Sequence, residues 1–172
     1  MKNKNKNKRT VPELPHLDNG QLTEQNVTDS LNKLSELFEN PSLMSIETDV
    51  LFNQQPYLKL WFFDQFQKMD PRHADALCEF IIVCYRAVET HNQGQMGNIK
   101  QTDLMEMKEH YREFFINGKG AFDLKLHEKF PESKILEYAV EVLADPMYSI
   151  QGHDEVVTSI LATGHVICQE VK

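Results

Sequence analysis

Apolar side chains recur at three- and four-residue steps through most of this 172-residue chain. That spacing sets them along one face of a helix. The densest stretch is residues 70–91, DPRHADALCEFIIVCYRAVETH. Its centre, Phe80 to Tyr85, is apolar enough for a buried strand, so length and flanks must decide. Asp70 suits an N-cap, Pro71 suits the first helical position, and no Gly or Pro follows until Gly94. About twenty uninterrupted residues exceed ordinary strand length and predict a helix. At about 100° per residue, Asp75, Glu79, Arg86 and Thr90 share a stripe roughly 60° wide. Nearly all the rest of the surface is apolar or small, which places this helix at the buried centre of the fold.

The same pattern predicts helices on both sides of it. One spans about Thr23 to Glu39, with Val27, Leu31, Leu34, Leu37 and Phe38 on one face, and Asn40-Pro41 ends it. A second, about Ser42 to Asn53, offers Leu43, Ile46 and Val50 on one face. Pro56 opens a third, PYLKLWFFDQFQKM, with five aromatics in ten residues (Tyr57, Trp61, Phe62, Phe63, Phe66). Leu58, Trp61, Phe62, Phe66 and Met69 form its face, and Leu60 and Phe63 carry the apolar surface beyond one stripe. After the polar loop 92–100, a helix from Thr102 as N-cap to Asn117 points Leu104, Met107, Tyr111, Phe114 and Phe115 inward. Residues 117–131 fit either a short helix or a loop. Pro131 starts a helix to about Ala144, and Asp145-Pro146 stops it. The last helix runs from His153 or Asp154 to Glu170, where Gly164 allows close approach of another backbone.

These elements predict an all-α fold: a single irregular bundle of six or seven helices around the buried helix 70–91, covering residues 21–172. Charge sets residues 1–20 apart. Residues 1–9 (MKNKNKNKR) hold five of the 18 Lys and Arg and none of the 26 Asp and Glu, which leaves the rest of the chain at −13. With Pro12, Pro15 and Gly20 behind it, this basic stretch is expected to be a disordered tail. Nucleic acid could be held only through residues 2–9, because the acidic body lacks clustered Lys and Arg for phosphate. The cysteines (Cys78, Cys84, Cys168) are odd in number and form no CxxC, which predicts reduced core thiols and a cytoplasmic setting. No secretory signal and no bilayer-spanning stretch is apparent.

Candidate chemistry is sparse. Glu106, His110 and Glu113 share a helix face and are of metal-ligating type. Their face lies far from the apolar side of that helix and their spacing is not Glu-x-x-His, so a solvated outer face is the simpler expectation. His165 and Cys168, three apart, lack the second ligand pair of a zinc site. Gly152-His153-Asp154 contains a His-Asp pair, but Asp154 is more simply a first-turn acid. Gly94 to Gly97 lacks the spacing and preceding strand of a phosphate loop, and no cofactor motif is assembled. The pairs 56–91 and 131–170 share an outline, Pro-initiated helix, Asp-Pro, then a cysteine-bearing helix, without a repeat period.

Two functional expectations follow. The first is a non-catalytic interaction or regulatory protein whose partner is another protein. Tyr57, Leu60, Trp61 and Phe63 would supply a partner surface, and the Asp75–Glu79–Arg86 stripe would line a cleft. The second is a small enzyme or ligand-binding protein with a pocket beside the central helix. Buried Leu60 and Phe63 would remove the first; a cavity gathering His, Asp or Glu side chains from different helices would favour the second.

Overall fold

Prolines and capping side chains set most of the helix boundaries in the computed structural model, which describes residues 20–117, 130–150 and 153–172. Seven helices follow in order, with no strand among the described residues: α1 (Glu24–Phe38), α2 (Pro41–Gln54), α3 (Pro56–Phe66), α4 (Pro71–His91), α5 (Gln101–Asn117), α6 (Ser133–Ala144) and α7 (Asp154–Cys168). Thr23 and Asn26 close a capping box at α1: the Asn26 N–H donates to Thr23 Oγ1 (3.3 Å) and the Thr23 N–H to Asn26 Oδ1 (2.9 Å). Asn40 and Asp70 cap α2 and α4, each followed by a proline at the first helical position. Asp145 is extended ahead of Pro146, and α6 ends there.

Several boundaries differ from the sequence reading. α3 stops at Phe66 rather than Met69. Thr102 is not an N-cap: α5 begins at Gln101, and the Thr102 hydroxyl bonds to Asp103 Oδ1 at 3.2 Å. Glu132, not Pro131, occupies the N-cap position of α6. The basic tail (residues 1–19), most of the ambiguous segment (residues 118–129) and Gly152 lie outside the described residues.

α4 lies at the centre, in contact with α1, α3, α6 and α7. Twelve of its residues are buried, including the whole run Phe80 to Tyr85. The core has a second buried axis that the apolar pattern understates. Eleven of the fifteen residues of α7 are buried, among them Thr158, Ser159 and Thr163. Their hydroxyls donate back to the carbonyls of Asp154 (2.8 Å), Glu155 (2.7 Å) and Ser159 (2.7 Å). A hydroxyl satisfied within its own helix can be buried at little cost, so these residues act as small core side chains. Gly164 permits a close approach, but by rings rather than backbone. A Cβ there would lie 2.9 Å from Phe80 Cζ and 3.2 Å from Phe130 Cζ.

Two long-range polar contacts tie the ends of this core. The Glu132 carboxylate accepts the N–H groups of Gln21 (3.0 Å) and Leu22 (2.9 Å), just ahead of α1. Gly20, at φ 104°, leaves no room for a side chain against that carboxylate. Asn92, after α4, donates to the Glu170 carbonyl (2.6 Å) and accepts the Lys172 N–H (3.1 Å).

Candidate functional site

α2 and α3 carry more apolar residues than one face can hold, so they set an apolar face toward solvent. In α2, Leu51 and Phe52 turn inward. Leu43, Ile46 and Val50, at i, i+3 and i+7, fall on the opposite side and are 47%, 56% and 41% exposed. The face that the sequence offered for α2 thus points away from the core. In α3, Leu58, Trp61, Phe62 and Gln65 are buried, while Tyr57, Leu60 and Phe63 are 50%, 55% and 47% exposed. Phe66 and, at the end of α1, Phe38 were expected on packing faces and are also exposed. Gln55 alone separates the two helices, and the ring of Phe52 stacks on Phe62 at 5.4 Å and meets Phe63 at 6.3 Å. These contacts anchor one side of the exposed rings and leave the other uncovered.

Trp61 does not belong to that surface. It is buried, its indole N–H donates to Thr163 Oγ1 (3.1 Å), and Lys108 Nζ lies 5.6 Å from the ring centre. Beside it, Gln65 takes the inward position expected of Phe66. Gln65 Oε1 accepts from Lys108 Nζ (2.6 Å) and from the Ser159 hydroxyl (3.2 Å). Lys108 also pairs with Glu155 (2.7 Å), which lowers the Glu155 pKa. Burial lowers the Lys108 pKa despite that pair.

The polar stripe of α4 divides between two surroundings. Asp75 is exposed. Glu79 is half-buried and accepts the Tyr148 hydroxyl; burial raises its pKa and that hydrogen bond offsets part of the rise. Two turns farther along the same stripe, Arg86 pairs with Glu47 of α2 and Glu89 of its own helix. A groove of about 280 Å³ lies there, lined by Asp29, Ser30, Lys33, Glu47, Arg86, Glu89 and Thr90. Three helices contribute carboxylates to it, but Glu47 and Glu89 are both engaged by the Arg86 guanidinium.

Glu106, His110 and Glu113 are all exposed on the outer face of α5. No group of three or more His, Cys, Asp or Glu side chains that could hold a metal is gathered among the described residues. His165 Nδ1 lies 2.8 Å from the Tyr111 hydroxyl, with Phe130 edge-on. Burial, with a smaller contribution from His110, pushes its pKa down to about 4, so the ring is neutral near pH 7. Cys84 and Cys168 are buried, and burial raises both thiols well above their usual range. Cys78 is partly exposed; burial first, then Glu79 and Asp75, pushes it up to about 12. No described cysteine therefore has the character of an activated nucleophile.

Sequence reasoning missed the buried polar side chains Gln55, Gln65 and Lys108. Gln55 donates to the Gly97 carbonyl (2.8 Å) and accepts the Ile99 N–H (3.0 Å), which fixes the loop before α5. The available signal was positional: Gln65 and Lys108 both fall on the inward faces of their helices. No helix is long and apolar enough to cross a membrane among the described residues. No family model, curated protein or solved structure matches the chain.

Proposed function

We propose that this chain is a non-catalytic protein-interaction module that docks a partner protein on the outer faces of α2 and α3. One observation carries the reading: Leu60 and Phe63, like Ile46 on α2, are about half exposed on well-formed helices. Exposed apolar residues grouped along a helix face mark interaction sites more often than scattered single residues do. Partial exposure with one side anchored also suits a docking face, since ordered rings lose less freedom on binding.

The test is affinity purification of the full chain in parallel with a Leu60→Asp/Phe63→Asp variant whose helicity and melting temperature match the wild type. A stoichiometric partner should be retained by the wild type and lost by the variant. An identical set of partners on both would overturn the assignment of this face.

A second reading, a small polar ligand in the groove beside Arg86, is favoured by the meeting of Asp29, Glu47 and Glu89 from three helices. It predicts a thermal-shift ligand whose effect disappears in Asp29→Asn while the unliganded melting temperature stays unchanged.

A further inference from the structure

We infer that the segment docking on α2 is a cationic amphipathic helix of the partner protein, an inference that rests on the interaction reading above. The shape of the stripe comes first. Leu43, Ile46 and Val50 form a ridge about two turns long on one side of a regular helix. Such a ridge fits the groove of a second helix bearing apolar residues at i, i+3 or i+4, and i+7. Strand addition by an extended peptide would need a sheet edge, and the described residues contain no strand.

Charge then selects among helical occupants. Residues 20–54 carry six acidic side chains and one basic one, Lys33. Asp49 is exposed on one flank of the ridge and makes no ion pair among the described residues. On the other flank Glu47 lines a groove with Asp29, Glu89, Lys33 and Arg86, three carboxylates against two cations, which leaves that side acidic as well. Glu39, exposed between α1 and α2, adds a carboxylate at the turn that leads into α2. A helix lying on this ridge therefore meets carboxylates along both edges, and Lys or Arg beside its apolar positions would complement them.

The same rim disfavours the other occupants of an apolar face. A second copy meeting this one about a two-fold axis would set acidic rims against each other. An anionic membrane surface attracts basic segments and would repel this one.

The probe is a synthetic amphipathic helical peptide with Leu at i, i+3 and i+7 and Lys at the flanking positions. Its counterpart has the same Leu positions and Glu at the flanks. Binding to the full chain is followed by fluorescence anisotropy of labelled peptide. The Lys peptide should bind and the Glu peptide should not, and raising salt from about 0.05 to about 0.5 M should weaken binding. Ile46→Ser should weaken it at least about tenfold, in the range of a central interface residue, and Asp49→Lys should weaken it in low salt. Equal binding of the Glu peptide would overturn the partner chemistry and leave the docking face standing. Unchanged binding by Ile46→Ser would show that basic peptide is held elsewhere on the acidic body and would overturn the site. Binding of neither peptide would overturn the inference, while the Leu60/Phe63 comparison would still decide the interaction reading by itself. Two further results would overturn the inference by naming another occupant: concentration-dependent self-association abolished by Ile46→Ser, or binding to vesicles containing phosphatidylserine.

Discussion

Gln65 Oε1 accepts from Lys108 Nζ at 2.6 Å, so two buried polar side chains on α3 and α5 satisfy one another in the core. The same oxygen takes the Ser159 hydroxyl from α7, so a single amide joins three helices. Replacing it with an apolar side chain of similar size would leave the buried Lys108 ammonium with Glu155 but without that acceptor, while the Ser159 hydroxyl keeps its bond to the Glu155 carbonyl. Gln65→Leu should lower the unfolding free energy by about 1–3 kcal/mol, the cost of unsatisfied buried polar groups. Urea titration measures it. Lys108→Met together with Gln65→Leu should recover part of the loss, because the double variant removes both members of the pair.

Gly164→Ala adds a methyl group against Phe80 and Phe130, with Phe80 Cζ at 2.9 Å. Both rings sit among buried neighbours and have little room to withdraw. The variant should lose about 1–3 kcal/mol, as overpacked cores do. Thermal melts of the two proteins side by side check this, and an unchanged melting temperature would show that the ring packing yields.

Burial holds the His165 imidazole down at about 4 in the folded chain, below the ordinary histidine value of about 6.5, so the unfolded chain binds its proton first. A depressed histidine pKa contributes stability that is fully present above about pH 6.5 and is lost as pH falls toward about 4. His165→Gln should flatten the stability–pH curve within that window relative to the wild type. Curves that stay parallel through the window would contradict a buried neutral imidazole at this position.

Leu58 and Leu60 stand two residues apart on α3, one fully buried and the other 55% exposed. Leu58→Ala should cost about 2–5 kcal/mol, the range for a buried leucine. Leu60→Ala should stay within about 1 kcal/mol, near the range for surface substitutions. If Leu60→Ala destabilised the isolated chain as much as Leu58→Ala, its side chain would belong to the core.

The helix count and most boundaries were legible because prolines and caps act within a few residues of themselves: Asn40-Pro41 and Asp70-Pro71 each start a helix where the sequence places them. Faces were legible where polar residues bracket a stripe. On α6 the apolar residues Ile135, Leu136, Ala139, Val140, Val142 and Leu143 are all buried. Faces failed where apolar residues surround the helix. In α2 and α3 nothing local says which side the rest of the chain will cover, so Leu43, Ile46, Val50 and Phe66 are exposed while Gln65 is buried. The three-helix meeting at Gln65 depends on residues 43 and 94 positions away and has no local signature. Among the candidate site residues, the exposure of Tyr57, Leu60 and Phe63 follows from the same surplus. The burial of Trp61 follows from its place on the face shared with Leu58 and Phe62, and only its hydrogen bond to Thr163, in a distant helix, has no local signature.

Trp61 is the only tryptophan in the chain, and its indole is held between Thr163 and the Lys108 ammonium. The protein thus carries its own optical reporter of the seam between α3 and α7. Its emission should be blue-shifted in the folded chain and move to longer wavelength when α3 lifts away, before any label is attached. Because Trp61 and Leu60 are neighbours on one helix, the first buried and the second exposed, the emission separates two modes of binding. A partner that docks on α3 as a rigid body leaves the spectrum in place, whereas one that pries the helix out shifts it.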